Sequence, residues 1–505
     1  MTKILETIHN LLWGAPALIL ILGVGLYLTV RTGFVQILFL PRSVRSLCSA
    51  LQPGTKGQGI SSFQALCTAL AATVGTGNLV GVAGALCLGG PGAVFWMWIS
   101  GLLGMVTKYA EVTLAVRYRR QQGTGFVGGP MYIISQGMGK RWHWMARAYC
   151  LFGVIASFGV GNATQVNAVI TGMNAAFQDY GIAQTQTGNF CIGLLLATVI
   201  GAMLSGGAKR ICSAAERLVP LISGAYILLC VGVLITRHDA VGDAFACIVR
   251  GAFSPRAVTG GLLGSAFRAM MVGCSRGVFT NEAGMGTASI AHASARVSHP
   301  AEQGLMGIVE VFLDTIVICT LTALVILVSG VRIPYGTDVG GALTNAAFSA
   351  VYGNSITLFL TGALCCFAFA TVLGWGLYGG RCAQYLFGDR AWQWYVVAQV
   401  IAVCLSSVMN TQTVWLFAET MNGFMAIPNL IALATLTPEV VRLTIDYKEK
   451  TGTSSAGGGN YADFYQRKPL RALSHAEIPS FGSGSEKGRK KDLPPEHRSA
   501  GSSHA

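Results

Sequence analysis

Charged side chains are scarce in this chain. Asp, Glu, Lys and Arg make up 11% of its 505 residues, against about 25% in soluble domains. That scarcity excludes an ordinary soluble globular domain. Other signatures are missing too. No Cys-x-x-Cys pair and no Cys/His ligand spacing occurs, so the 14 cysteines, among them Cys67, Cys87, Cys150, Cys191, Cys230 and Cys319, read as small buried hydrophobes. No nucleophile–base pair stands out. The turn Gly75-Thr76-Gly77 lacks the lysine and the preceding strand of a phosphate loop. Neither an enzyme nor an organic cofactor is expected. The first apolar run, 11–30, does not end in an A-x-A site and leads into Arg31, so it reads as a retained helix rather than a signal peptide.

What is present is hydrophobicity in long runs. Apolar residues make up 52% of the chain, and the mean hydropathy is +0.55. A window of about 20 apolar residues finds about eleven spans, near 11–30, 63–88, 92–116, 146–176, 189–205, 214–236, 260–290, 304–330, 355–387, 392–409 and 413–436. The expected fold is an all-α polytopic membrane protein with the lipid bilayer as its solvent, its transmembrane domain occupying 1–450. The formal net charge of +14 does not imply nucleic acid, because the basic residues lie in loops between the runs. Arg31, Arg42, Arg45 and Lys56 follow the first span. Arg117, Arg119, Arg120, Lys140 and Arg141 follow the third, Lys209, Arg210 and Arg217 the fifth, Arg381 and Arg390 the ninth, and Lys448 and Lys450 the last. The positive-inside rule then puts the N-terminus outside and the C-terminus in the cytoplasm of a cell-membrane protein. The tail 451–505 is Gly/Ser-rich, carries the basic run 487–491, and is expected to be disordered and cytoplasmic. No obligate protein partner is inferred.

The run Ala71-Ala72-Thr73-Val74-Gly75-Thr76-Gly77-Asn78 interrupts the apolar stretch 63–88. Irregular backbone at membrane depth survives only inside protein or along a cavity, where freed carbonyls and amides bind ions and polar solutes. The stretch 260–290 is likewise broken by glycine, at Gly273 and Gly277, leading into Phe279-Thr280-Asn281-Glu282-Ala283-Gly284. The two interruptions lie five spans apart, the spacing of an inverted repeat around a central site. The halves are 63–236 and 260–436, preceded by one extra helix, 11–30.

Ser157, Gly161 and Gln165 share one helix face beside Asn162. Such a stripe is either a packing seam or, through the donors and acceptor of the Gln165 amide, a ligand contact. Phe367, Thr371 and Trp375 share another face. Thr371 either bonds its own helix or offers an oxygen to a hard cation; Trp375 either fills the core or walls off a small pocket. Ionisable residues inside spans face protein or water. Lys108 and Glu111 are spaced to pair on one helix. Arg276 and Glu282 flank the second interruption and read as an ion pair or gate. Asp314 reads as a cation or proton site, or as a link between helices.

These stretches resemble the alanine or glycine:cation symporter family. The resemblance is carried by Phe63-Gln64-Ala65-Leu66 through Gly81, by 89–98, by Gly128-Gly129-Pro130-Met131-Tyr132, by Arg276 through Gly286, by Ile290-Ala291-His292-Ala293, by Leu373-Gly374-Trp375 and by Met425-Ala426-Ile427-Pro428-Asn429-Leu430-Ile431. It runs from about Leu12 to Val441. It implies a leucine-transporter-type 5+5 inverted repeat with one added N-terminal helix. It implies symport of a small neutral amino acid, alanine or glycine, with Na+. Thr76 and Gly77 would meet the substrate carboxylate, and Gln165, Thr371 and Trp375 would line its pocket. Phe267, Met270 and Met271 would contact its side chain and carboxylate. Na+ would bind the carbonyls of Ala71 and Val74 and the Thr371 hydroxyl. The family pattern often has two threonines before Gly-Trp; here Ala370 precedes Thr371, which removes one sodium oxygen. A proton-coupled or uncoupled carrier, and an amino-acid sensor that does not transport, are the alternatives.

Overall fold

A computed structural model of the chain describes residues 7–9, 11–50, 59–123, 125–179, 181–254, 266–337, 339–409 and 412–451. Lys56, residues 260–265 of the seventh expected span and the tail beyond 451 lie outside the described residues.

The principal helices are α1 (Ala15–Thr32), α2 (Ser62–Thr73), α3 (Val82–Gly89), α4 (Gly92–Arg117), α5 (His143–Phe158), α6 (Thr164–Asp179), α7 (Gln186–Ser205), α8 (Gly207–Thr236), α9 (His238–Phe253), α10 (Ala266–Asn281), α11 (Pro300–Val311), α12 (Thr320–Val328), α13 (Ile356–Phe387), α14 (Ala391–Ser406) and α15 (Gln412–Lys450). A two-stranded antiparallel ribbon, Arg120–Gln122 with Gly125–Val127, follows α4. Eight helical segments among the described residues are long and apolar enough to cross a membrane, and a ninth is the bent pair Ser62–Thr73 and Gly77–Gly89. Helix α14 is apolar but shorter. The last helix runs well past the expected 436, to Lys450.

Local chemistry explains where these helices start and bend. Ser61 accepts from the Gln64 amide at 3.0 Å while Gln64 Oε1 accepts from the Ser61 amide at 3.1 Å, a capping box that opens α2. Helix α1 starts at Ala15-Pro16 and stops at Gly33, whose φ of 67° suits glycine. Three spans carry π segments: Gly77–Gly81, Gly159–Ala163 between α5 and α6, and Phe312–Cys319 between α11 and α12. Each widens the turn and shifts the helix face that follows.

Of the helices long enough to cross a membrane the most buried is α4, which packs against α1, α9, α10, α11 and α15. Glycines allow the close approaches. A Cβ at Gly273 of α10 would overlap the Ala93 carbonyl, and one at Gly277 would overlap the Ser100 hydroxyl. Small residues serve this purpose where lipid provides no hydrophobic drive between helices. Helix α10 is accordingly continuous through Gly273 and Gly277, contrary to the expected interruption there. The break falls later, at Glu282–Gly286, where Glu282, Gly284 and Gly286 have φ of 52°, 94° and 79°.

Gly273→Ala is expected to lower stability in detergent by about 1–3 kcal/mol through overpacking, whereas Gly224→Ala, with nothing within 4 Å of the added carbon, should not. Thermal unfolding of the two purified variants checks this; equal melting temperatures would contradict the packing assignment.

Candidate functional site

The break between α2 and α3 is held open by side chains. Val74 is extended (φ −76°, ψ 111°). The Gly75 amide donates to Asn78 Oδ1 at 2.9 Å, and Asn78 Nδ2 donates to Asp314 Oδ1 at 2.8 Å. Thr315 Oγ1 donates to the other Asp314 oxygen at 2.9 Å. Asp314 is therefore a link between helices, fully buried and not part of the cavity lining. On the other side of the break, Thr371 Oγ1 lies 3.0 Å from both the Ala71 and the Phe367 carbonyls. The Thr371 hydroxyl and the Ala71 carbonyl thus sit together beside the extended residue Val74. The chain bends by 50° there.

Beside this break lies a small cavity whose lining includes Thr76, Gly77, Gln165, Glu282, Thr371 and Trp375, with Phe279, Thr164, Glu419 and Asn422 also in its wall. The space open to the centre of a water molecule is about 30 Å³. A larger cavity of about 640 Å³ adjoins it, sharing Thr76, Gly77, Phe279 and Glu419. The Gln165 amide is oriented by the π segment. Its Nε2 donates to the Val160 carbonyl at 3.2 Å, and Thr76 Oγ1 approaches its Oε1 at 3.5 Å. Trp375 is fully buried. It can sit so close because Gly161 has no Cβ: one there would overlap the Trp375 side chain. Gly374 likewise lets α13 approach Ala72 of α2.

The structure therefore brings five of the sequence-predicted residues together: Thr76, Gly77, Gln165, Thr371 and Trp375. It does not bring in the three from α10. Phe267 is 60% exposed, Met270 lines neither cavity, and Met271 lines only the larger one. The reason is the later break: with α10 intact to Asn281, it is Phe279, about three turns beyond Phe267, that reaches the cavity. Glu419 and Asn422 of α15 join the wall without any signal in the sequence. Glu419 lies 3.6 Å from His9 Nε2, and its carbonyl accepts from Trp13 Nε1 at 2.9 Å. Nothing in the hydropathy of that span marks either residue.

The expected ion pair between Arg276 and Glu282 does not form. Instead Arg276 lines the larger cavity, and Glu282 accepts from Trp375 Nε1 at 3.1 Å and from Thr287 Oγ1 at 2.6 Å. The second break is satisfied by Glu111, whose Oε1 accepts from the Gly284 and Gly286 amides at 2.8 and 3.1 Å and from Asn429 Nδ2 at 2.8 Å. Glu111 does not pair with Lys108 as its spacing allows. Lys108 Nζ instead lies 3.3 Å from Glu310 Oε1 on α11, with both side chains buried. Gln303 Nε2 lies 2.7 Å from His292 Nδ1, leaving His292 Nε2 to donate to Glu310 Oε2 at 3.0 Å. In this network the Glu310 carboxylate is held by two different helices.

A model of the sodium:alanine symporter family matches residues 1–457. The chain belongs to that family. It is 42% identical over 454 residues to the sodium/alanine symporter AgcS of Methanococcus maripaludis, covering 88% of this chain and 97% of that protein. It is 43% identical over 453 residues to an uncharacterised transporter of Haemophilus influenzae, with 89% and 96% covered. The amino-acid carrier protein AlsT of Bacillus subtilis is 36% identical over 433 residues, with 85% and 89% covered. Among solved structures, MhsT in complex with L-phenylalanine matches with a TM-score of 0.52 at 14% identity, covering 77% of this chain and 99% of that one. The fold is thus that of the leucine-transporter-type proteins, and the chain is a multi-pass membrane transporter.

Lys108→Met is expected to destabilise the protein by about 3–5 kcal/mol, because it strands a buried carboxylate. Lys108→Met combined with Glu310→Gln should recover much of that loss. Thermal melts of single and double variants test the network; additive losses would refute it.

Proposed function

We propose that the protein carries a small neutral amino acid, alanine or glycine, into the cell by symport with Na+. The observation that carries this reading is the small cavity at the α2 break, where Thr76, Gly77 and Gln165 meet beneath Trp375. About 10–15 Å³ of such space holds one water, so a cavity of about 30 Å³ suits a solute of few heavy atoms. The buried Trp375 caps its size. Amides freed at Thr76 and Gly77 stand at the N-terminal end of the segment Gly77–Gly89, where the helix dipole favours a carboxylate. Na+ would be held by neutral oxygens: the carbonyls of Ala71 and Val74 and the hydroxyl of Thr371. The position of Thr371 against Ala71 supports that assignment. The names of two relatives, a sodium/alanine symporter and an amino-acid carrier protein, point the same way.

The transporting unit would consist of two repeats, 63–236 and 260–436, after the extra helix 11–30, with the breaks at 74–76 and 282–286 at its centre. The basic loops after the first and third spans set the N-terminus outside and the C-terminus in the cytoplasm. The larger cavity, reached from the Leu88 end of α3, would then be the extracellular vestibule. Each ligand must bind the closed state better than the open one to drive alternation. The driving force is adequate: one cation crossing about 100 mV releases about 2.3 kcal/mol, and a tenfold gradient adds about 1.4 kcal/mol.

The test is radiolabelled alanine uptake into proteoliposomes under an inward Na+ gradient or an equal K+ gradient. Uptake is expected only with Na+. It should fall at least about tenfold in Gln165→Ala and in Thr371→Ala, the scale of one lost hydrogen bond to a charged group. Equal uptake under both gradients would reject sodium coupling. No uptake by a folded, alanine-binding protein would reject transport.

A further inference from the structure

Glu282 is the one carboxylate lining the small cavity that is almost wholly buried, at 4% exposure. Its position is fixed on three sides. The backbone turns through the left-handed region at this residue (φ 52°), a strained position for a residue with a Cβ. Trp375 Nε1 holds one carboxylate oxygen and Thr287 Oγ1 the other. Trp375 and Thr287 are themselves fully buried. A carboxylate offers about four acceptor positions, and these two bonds occupy two.

No described residue forms an ion pair with Glu282. Buried charges are ordinarily paired, and the other buried carboxylates nearby have structural roles. Glu310 pairs with Lys108, and Glu111 caps the second break. Among the described residues, Glu282 alone combines burial, two neutral donors, spare acceptor positions and an opening onto the cavity. A cation delivered into that cavity would complete it. A hard metal ion prefers a shell of several oxygens, but the side chains touching Glu282 are an indole N–H and a hydroxyl that both donate to it. A primary ammonium needs only acceptors, and an α-amino acid places its ammonium one carbon from its carboxylate. The two breaks are close enough for that. A Cβ on Gly77 would lie 3.2 Å from Thr280 Cγ2, two residues before Glu282.

We infer that Glu282 is the receptor for the substrate's α-ammonium group, and so the residue that makes the site select amino acids over other small carboxylates. This rests on the amino-acid transport reading above. Trp375 and Thr287 position the carboxylate, and the amides at Thr76 and Gly77 face the opposite end of the same ligand. Selection against a hydroxy acid of the same skeleton follows, because that ligand would leave Glu282 without its cation.

The experiment is displacement of radiolabelled alanine from the purified full-length protein by unlabelled alanine and by lactate, for wild type and Glu282→Gln. Wild type is expected to prefer alanine by at least about 100-fold, the scale of a charge-assisted hydrogen bond in a buried site. In Glu282→Gln that preference should shrink to within about tenfold, through weaker alanine binding. An unchanged preference in a folded Glu282→Gln protein overturns the inference while leaving amino-acid transport intact. A changed Na+ dependence with an unchanged alanine-to-lactate ratio also overturns it, and assigns Glu282 to the ion. Failure of wild type to bind alanine removes the transport reading itself. If Glu282→Gln does not fold, wild type still decides: lactate displacing within tenfold of alanine overturns the inference.

Discussion

Inside a bilayer, a backbone amide or carbonyl released from its helix must find another partner within the protein. The polar side chains around the two breaks of this transporter meet that requirement. At the first break, Asn78 takes the Gly75 amide, and the Thr371 hydroxyl reaches the Ala71 carbonyl. At the second, Glu111 takes the amides of Gly284 and Gly286, Asn281 takes that of Ala283, and Asn429 takes the Gly284 carbonyl. Each of these side chains is nearly or fully buried. Without them the breaks would close into continuous helix or expose unsatisfied groups, and no cavity would remain between them.

Several of the supports come from helices distant in sequence, so the breaks are coupled to the rest of the bundle. Glu111 lies on α4, Asn429 on α15 and Thr371 on α13. Asp314 anchors Asn78 from the π segment after α11. A movement of α13 or α15 would change the geometry of a break directly. That is a physical route by which a ligand seated at the breaks biases the arrangement of whole helices, the condition alternation requires. The Lys108–Glu310–His292 network fixes α4 to α11 and supports this frame without entering the cavity.

The first break is legible in the sequence because two glycines and two threonines inside an apolar run weaken the helix where lipid cannot replace its hydrogen bonds. Gln165, Thr371 and Trp375 are legible from helical spacing together with the resemblance. The position of the second break is not, and the cause is physical. Gly273 and Gly277 are glycines because α10 presses on Ala93 and Ser100 of α4, a demand that only the folded pair of helices reveals. The backbone instead turns at Glu282, a residue type that does not announce a left-handed conformation, followed by Gly284 and Gly286. The placement of Phe267, Met270 and Met271 beside the small cavity depends on an earlier break, and they do not line it. Charge pairing fails in the same way: spacing joins Lys108 to Glu111 on one helix, but tertiary packing offers Lys108 the carboxylate of Glu310. Glu419 and Asn422 carry no local pattern at all.

If symport couples ion and amino acid at the α2 break, each assists the other, and linkage requires that assistance to be reciprocal. The most direct measurement is the equilibrium Kd of alanine in Na+ and in K+, together with the Kd of Na+ with and without saturating alanine, on the purified protein. Na+ is expected to tighten alanine binding, and alanine to tighten Na+ binding by the same factor, on the order of 5–150-fold. An alanine affinity indifferent to the cation would contradict a shared site.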